Sequence, residues 1–317
     1  MTPLRHADMK KFLVKAGFVV LIVAVAVYTL FSLANGSVDP YYLRLASPRQ
    51  SALIIGTSRA AQGLNPEVMN KILGRESEKP LYNFAFTIAH SPYGRAYLES
   101  IKAKLDPDAR NSIFIVSVDP WCLSSGREAE SFPEESTFMG QLHSFSMNPN
   151  IEYLLRFYSK PFYTLLSDRT QRKQLLHDDG WLEINVAMDT ISVRRRLRSK
   201  VREYSLKLSE SVVSKTRYDY LVETIRLLRK HGQVYLVRLP VHPQIAAIDN
   251  DLMPDFEERM HAIVIETKSA FIDLSSENGK HQYTDGNHLF HASADRVSAA
   301  IAKEIRKKNI TLFPGNK

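Results

Sequence analysis

The chain has 317 residues, of which 44% are hydrophobic, and it carries a formal net charge of +8. This length allows one large domain with a sizeable core plus an appendage. The single cysteine, Cys122, excludes an internal disulfide, so the folded domain depends on its own core.

An apolar segment without charged residues covers residues 16–34. A helix of roughly 20 apolar residues can cross a bilayer, and basic residues precede this one, so the positive-inside rule predicts a cytoplasmic N-terminus at 1–15 and a transmembrane anchor at 16–34. The basic residues are Arg5, Lys10, Lys11 and Lys15. Everything after the anchor is then periplasmic or extracellular. The alternative is a cleaved signal peptide, because Ser32-Leu33-Ala34 offers small residues at the cleavage positions. The apolar run is, however, longer than the roughly 7–15 residues usual for the apolar part of a signal peptide, which favours a retained anchor.

A short polar segment with two prolines, residues 35–50, follows the anchor. We expect it to be a connector close to the membrane surface, where Tyr41 and Tyr42 suit the interface. Residues 51–317 then form the main domain.

Short apolar runs alternate with amphipathic stretches along this domain, which predicts an α/β fold with a parallel sheet covered by helices on both faces. The predicted strands are 52–55, 81–86, 113–118, 234–239 and 271–274, and the predicted helices are 66–73, 92–105, 218–231, 254–268 and 292–308. Residues 123–213 break this rhythm and predict a helical insertion, with helices near 151–167 and 189–208, over one side of the mouth of the cleft at the carboxyl ends of the strands, where ligands bind in such sheets.

A basic cluster between Arg194 and Arg217 starts in the second half of this insertion and continues just past its end. It is interpreted either as a solvated helix face or as a surface for anionic lipid headgroups or an acidic envelope polymer. Export of the domain argues against nucleic acid as a partner.

Two separated motifs carry the functional signal. Gly56-Thr57-Ser58-Arg59 follows the first predicted strand, and Asp285-Gly286-Asn287-His288 precedes the last predicted helix. A serine hydroxyl needs a base to remove its proton, and an imidazole serves as that base when a carboxylate fixes its tautomer. Taken singly, Ser58 is an ordinary turn serine and Asp285 a turn or capping residue. Together they predict a nucleophile, Ser58, a base, His288, and an orienting carboxylate, Asp285.

The order of an early Gly-x-Ser and a late Asp-x-x-His resembles the SGNH, or GDSL-like, superfamily of esterases and acyltransferases, over about residues 51–308 apart from the insertion. Thr57 replaces the usual aspartate, as in membrane-anchored envelope acyltransferases similar to D-alanyl transfer proteins. The resemblance implies a three-layer α/β/α, flavodoxin-like sheet and assigns the triad to the same three residues.

The resemblance also implies oxyanion donors after the second and third strands. At the first place stands Tyr82-Asn83-Phe84-Ala85, where the donor is either the Asn83 side chain or a backbone N–H near Ala85, unless Asn83 only closes a turn. At the second place the family's Gly-x-Asn is missing, and Asp119 stands instead. Asp119 is a candidate to bind a substrate hydroxyl or a cation, or it forms a structural ion pair.

Arg238 and His242 leave the fourth strand in Arg238-Leu239-Pro240-Val241-His242-Pro243. Either side chain is a candidate to hold an anionic or hydroxylated substrate, and the alternative is that the prolines only fix a rigid turn. The other histidines show no metal-ligand spacing, and no cofactor motif is present, so neither a metal nor a cofactor is expected.

The sequence therefore predicts an exported, membrane-anchored serine O-acyltransferase or esterase that uses an acyl donor and a glycan or other hydroxylated acceptor. A multi-span acyl-transporting membrane protein is the expected supplier of the donor. The alternative is a non-catalytic, membrane-anchored accessory protein that binds polysaccharide or an export or acylation complex. The missing Gly-x-Asn after the third strand and the basic cluster favour this alternative.

Overall fold

The computed structural model describes residues 6–75, 79–166 and 173–312. Arg5 and the end of the helix predicted at 151–167 lie outside these ranges. The helices are α1 (His6–Phe31), α2 (Tyr42–Ala46), α3 (Ser58–Gly63), α4 (Pro66–Leu73), α5 (Arg95–Lys104), α6 (Phe138–Gln141), α7 (Ile151–Arg156), α8 (Thr190–Glu210), α9 (Lys215–Arg229), α10 (Pro243–Leu252), α11 (Phe256–Thr267) and α12 (His291–Leu312). Short 3₁₀ turns cover Pro120–Leu123, Pro133–Ser136, Phe162–Leu166 and Ser275–Glu277.

The strands are β1 (Ala52–Ile55), β2 (Leu81–Asn83), β3 (Ser112–Ser117), β4 (Ser124–Gly126), β5 (Gln174–Leu176), β6 (Leu182–Ile184), β7 (Ser211–Val213), β8 (Gly232–Arg238) and β9 (Ala270–Asp273). Within the described ranges, β2, β1, β3, β8 and β9 pair in that order as a parallel sheet. Counting only these five strands, the order is 2-1-3-4-5, which is the flavodoxin-like arrangement of a doubly wound α/β fold.

Helices cover both faces of this sheet, as predicted. On β1, Leu53 and Ile55 belong to one hydrophobic core, and Ala52 and Ile54 belong to the other. Successive side chains of a strand point to opposite faces, so a strand buried on both faces is apolar throughout. The first core lies under α5, α9 and α11, and the second lies under α3, α4 and α12. The result is a three-layer α/β/α sandwich.

The insertion between β3 and β8 is not purely helical, which corrects the prediction for 123–213. It contains α6, α7 and α8, but also two antiparallel strand pairs, β4 with β7 and β5 with β6. Helix α8 packs on the loop around Asp285, because Arg196 donates a hydrogen bond to the Thr284 carbonyl (2.6 Å) and Lys200 lies 3.9 Å from Asp285. This part of the insertion therefore borders the late motif.

The segment 35–50 packs into the domain and does not form a separate connector, which corrects a second prediction. Tyr42 is buried, and its hydroxyl donates to Asn148 and accepts from the Asn150 N–H. Arg44 is also buried and donates to the carbonyls of Asn83 and Gly180. The segment is thus part of the domain core.

Helix α1 carries the predicted span. Met9–Phe31 is long and apolar enough to cross a membrane, and its most apolar stretch is not buried against the domain. This length and composition fit either a membrane anchor or a signal sequence near the N-terminus.

Candidate active site

Ser58 is the first residue of α3, at the carboxyl end of β1. The turn before it requires glycine, because Gly56 has φ of +145° and a Cβ atom there would lie 2.7 Å from Cβ of Ser117 on β3. The Gly56 N–H donates to the Tyr97 hydroxyl at 3.0 Å, and this hydrogen bond ties the turn to α5. The hydroxyl of Ser58 thus lies at the point between β1 and β3 where the strand order of the sheet reverses, the usual ligand site of this fold class.

The late motif forms a tight loop before α12. Asp285 Oδ1 accepts the backbone N–H groups of Asn287 and His288, each at 3.0 Å, and Gly286 has φ of +90°. These bonds return the chain so that the His288 ring stands beside the Asp285 carboxylate. The Nδ1 atom lies 2.9 Å from Oδ2.

The structure brings Ser58, His288 and Asp285 together, although Ser58 is 230 positions from His288 in sequence. The distance from His288 Nε2 to Ser58 Oγ is 2.8 Å. A carboxylate on Nδ1 and a hydroxyl on Nε2 is the arrangement that a serine nucleophile with a histidine base requires.

The charge on Asp285 is supported from two sides. Burial opposes its ionisation, but attraction to His288, the hydrogen bond to that ring and the Lys200 ammonium hold the pKa of the Asp285 carboxyl well below its usual range. Asp285 therefore stays ionised at neutral pH and keeps a proton on Nδ1 of His288.

Asn287 is a further contact of the base that the sequence did not single out. Its Oδ1 accepts a hydrogen bond from Arg59 Nε at 2.9 Å, and its Nδ2 lies 3.2 Å from His288 Nε2. Because arginine only donates, the amide oxygen must face Arg59 and the NH₂ group must face the ring. An amide donor at Nε2 favours the tautomer with a lone pair on Nε2, which is the form that accepts the Ser58 proton.

Arg59 is held in turn by a buried ion pair. Its guanidinium binds both carboxylate oxygens of Asp249, at 2.6 and 3.0 Å, and Trp121 Nε1 donates to the same carboxylate at 2.8 Å. All three side chains are buried. Arg59 and Asn287 lie inside the two motifs, so their positions were a signal for this role, whereas Asp249 and Trp121 gave none.

The Asn83 side chain and the Ala85 N–H, after the second strand of the sheet, are not available as oxyanion donors. This corrects the role predicted for these two residues. Asn83 Nδ2 donates to the carbonyls of Ala60 and Leu64, both at 2.9 Å, and Asn83 Oδ1 accepts the Ala85 N–H at 3.1 Å. Both residues are buried. Asn83 therefore fastens α3 to the end of β2.

Asp119 has a structural role rather than the predicted substrate contact. Its Oδ1 accepts the N–H groups of Trp121 and Cys122 at 2.9 and 3.1 Å, and its Oδ2 accepts the Thr57 hydroxyl at 3.2 Å. The side chain is buried and caps the Pro120–Leu123 turn. It thereby ties the residue before Ser58 to the end of β3.

Arg238 makes structural contacts instead of the predicted contact with substrate. It donates to Asn250 at 3.1 Å, lies 4.8 Å above the Phe256 ring and is 3.8 Å from Asp273. These contacts join β8 to α10, α11 and β9, so we assign Arg238 a structural role.

His242 lies beside the late loop and caps the start of α10, a helix that the sequence prediction did not contain. Its N–H donates to the Gly286 carbonyl at 2.8 Å, and its ring Nδ1 accepts the Gln244 N–H at 3.3 Å. Burial lowers the pKa of the His242 ring. The backbone of His242 thus supports the loop that carries Asp285. Its predicted contact with substrate stays a prediction.

No group of three or more His, Cys, Asp or Glu side chains in the described ranges is arranged to hold a metal ion.

No protein-family model and no curated protein matches the chain. Among solved structures it is similar to the native aryl esterase of M. smegmatis, with 12% identity, a TM-score of 0.39 and coverage of 82% of this chain and 99% of that one. It is also similar to Est24, a carbohydrate acetylesterase from Sinorhizobium meliloti, with 10% identity, a TM-score of 0.40 and coverage of 82% and 99%. These similarities are weak, so the fold class rests on the sheet order and helix layers described above.

Proposed function

We propose that the protein is a serine-dependent acyl-transferring enzyme of SGNH type, with Ser58 as nucleophile, His288 as base and Asp285 as orienting carboxylate. The observation that carries this proposal is the 2.8 Å contact between His288 Nε2 and Ser58 Oγ, backed by the 2.9 Å contact from Nδ1 to Asp285. The two motifs also meet at the topological switch point of the sheet.

The reaction proceeds through an acyl-enzyme. His288 Nε2 takes the proton of Ser58 as Oγ attacks the carbonyl carbon of an ester or thioester. As the tetrahedral intermediate collapses, His288 gives that proton to the leaving alcohol or thiol. A second hydroxyl then loses its proton to His288 and attacks the acyl carbon. As this second tetrahedral intermediate collapses, the bond from the acyl carbon to Ser58 Oγ breaks and His288 returns the proton to Oγ, which releases the acylated acceptor and restores the Ser58 hydroxyl. Asp285 stabilises the imidazolium in both halves. The backbone N–H of Ser58 is our candidate oxyanion donor, in place of Asn83 and Ala85.

The acceptor is proposed to be a sugar hydroxyl of an envelope polysaccharide, and the enzyme to remain tethered to the membrane. The end of α1 supports the tether over a cleaved signal. Phe31 is 2% exposed and Ala34 is 4% exposed, and both belong to the domain core. Cleavage after Ala34 removes both from that core, whereas a retained helix keeps them. With the N-terminus in the cytoplasm, this domain lies on the exported side, where a multi-span protein can supply the acyl donor.

Fluorophosphonate labelling of the full-length protein in detergent tests the nucleophile. We expect labelling of the wild type, none of Ser58→Ala and little of His288→Ala. Ser209→Ala, which alters an exposed serine on α8, is the matched control and keeps full labelling. Labelling that persists in Ser58→Ala contradicts the proposal.

Transfer is separated from hydrolysis by adding acceptor. Purified protein is incubated with an acylated donor, with and without a soluble polysaccharide, and acylated polysaccharide and free acid are both measured. Transfer predicts acylated polysaccharide at the expense of free acid. Equal hydrolysis in both samples, with no acylated polysaccharide, makes the protein an esterase.

A non-catalytic accessory role is the second candidate, favoured by the engagement of Asn83 and the Ala85 N–H in structural bonds. Removal of one oxyanion donor typically costs about 100-fold to 1000-fold in rate. Absence of labelling, together with full cellular function of Ser58→Ala, supports this candidate.

A further inference from the structure

Exposed apolar side chains cluster where α1 meets the domain. On α7, Ile151 and Leu155 are four residues apart and so share one face of the helix, and Leu155 is 63% exposed. Tyr153 and Leu154 of the same helix are buried. Helix α7 therefore presents apolar side chains both to the domain core and to the exposed surface.

The 3₁₀ turn Phe162–Leu166 adds to the same surface. With three residues per turn, Phe162 and Leu165 share one side and Tyr163 and Leu166 share the other. The first side faces the protein, because the Phe162 ring lies 5.1 Å from that of Phe31 and Leu165 is buried. The second side points outward, and Leu166 is 67% exposed.

A cleft of about 620 Å³ separates α1 from α7. It is lined by apolar side chains of α1 from Val20 to Phe31 and, across the gap, by Ile151. Eleven residues of helix rise about 16 Å, so the α1 side of the cleft extends well into the segment Met9–Phe31. If that segment crosses a bilayer, Ile151 lies beside its embedded part.

We propose that Ile151, Leu155, Tyr163 and Leu166, here called the apolar shelf, insert into the outer leaflet of the same bilayer that holds α1. This inference rests on the proposed membrane tether. The bilayer is the occupant because the shelf is continuous with α1 through the Phe31–Phe162 contact and the shared cleft, which acyl chains fill. Contiguous exposed apolar surface of this kind marks an interaction site.

The composition of the shelf and its border suits a lipid interface. Tyr163 is an aromatic residue of the type enriched at the headgroup level. The exposed cationic side chains of Arg156 and Lys160 border the shelf in sequence, with Arg156 paired to Glu152 and Lys160 donating to the Val38 carbonyl. Contact at both α1 and the shelf fixes the tilt of the domain, and with it the direction in which the Ser58 cleft faces the membrane.

Spin-label accessibility of the full-length protein in lipid nanodiscs of phosphatidylethanolamine and phosphatidylglycerol tests the shelf. Single cysteines are introduced as Leu155→Cys, Leu166→Cys and Val23→Cys, and Cys122 is kept because its buried thiol does not react. The matched control is Ile265→Cys, an 81% exposed apolar residue on α11, next to the sheet edge opposite β2. We expect labels at 155, 166 and 23 to collide more often with oxygen than with a water-soluble nickel complex, and the label at 265 to show the reverse.

Three results overturn the inference, and they differ from one another. If the labels at positions 155 and 166 are as accessible to water as the label at 265, while the label at 23 is embedded in lipid, the shelf does not insert but the membrane tether still stands. If the label at position 23 is also accessible to water, both the membrane tether and the shelf are contradicted. Labels at 155 and 166 that are aqueous in nanodiscs but shielded in native membranes show that a membrane protein, rather than lipid, covers the surface.

Discussion

The substitution Asp285→Asn is expected to remove activity while leaving the loop folded. In the native loop, Asp285 Oδ1 accepts two backbone N–H groups and Oδ2 faces His288 Nδ1 at 2.9 Å. An asparagine oxygen can keep the two backbone bonds, so its NH₂ group then faces Nδ1. Two donors cannot share that contact, and the ring moves its proton to Nε2. An Nε2–H points at Ser58 and cannot accept the Ser58 proton.

The expected loss is about 10⁴-fold in kcat, the size seen when a triad carboxylate becomes an amide. At about 1.4 kcal/mol per factor of ten, this corresponds to roughly 5 kcal/mol of lost transition-state stabilisation. The assay is hydrolysis of p-nitrophenyl acetate by wild type and Asp285→Asn, with unfolding curves to show that the variant is folded. Glu266→Gln, which alters an exposed carboxylate on α11, is the matched control and is expected to be unchanged. A folded Asp285→Asn within tenfold of the wild-type rate refutes the reasoning.

Three further predictions concern residues around the site and the core. Gly56→Ala forces a Cβ against Ser117 at positive φ, so we expect a loss of about 1–3 kcal/mol in unfolding free energy and no fluorophosphonate labelling. Normal labelling contradicts this. Asp249→Asn leaves the buried Arg59 charge unpaired and is expected to cost about 3–5 kcal/mol in urea unfolding, against under 1 kcal/mol if the pair is dispensable. Burial lowers the pKa of Lys104 to about 7, so the unfolded chain, with a lysine pKa near 10.4, binds more protons between about pH 7 and 10. Stability should therefore rise with pH across that window, and Lys104→Met should remove this contribution; an unchanged slope opposes it.

The parts of the fold that the sequence predicted are those specified by local pattern. Strand β1 matches residue for residue because a strand buried on both faces is a continuous apolar run. Helix α4 also matches, because Asn65 caps its start, Pro66 occupies the first turn and Gly74 ends it in the left-handed conformation. Helix α10 was missed since its proline at the first position has the same local appearance as a turn.

The errors lie where distant contacts decide the outcome. Tyr42 was assigned to the membrane interface, but its hydroxyl bonds to Asn148 and Asn150, more than 100 residues away, place it in the core. Asn83 was a candidate oxyanion donor, with a turn role as the alternative, and only the approach of α3 shows that its amide is already engaged. For Ser58 and His288, the residue types and motif order were sufficient for the prediction, whereas the support of Arg59 by Asp249 depends on tertiary packing.

The central claim is that the hydroxyl of Ser58 forms a covalent ester with the transferred acyl group. The most direct test is peptide mass spectrometry of protein mixed briefly with p-nitrophenyl acetate and stopped with acid. The account predicts one acetyl group on Ser58 in the wild type and none at that position in His288→Ala. An unmodified Ser58 during turnover, or equal acetylation in the two proteins, contradicts it.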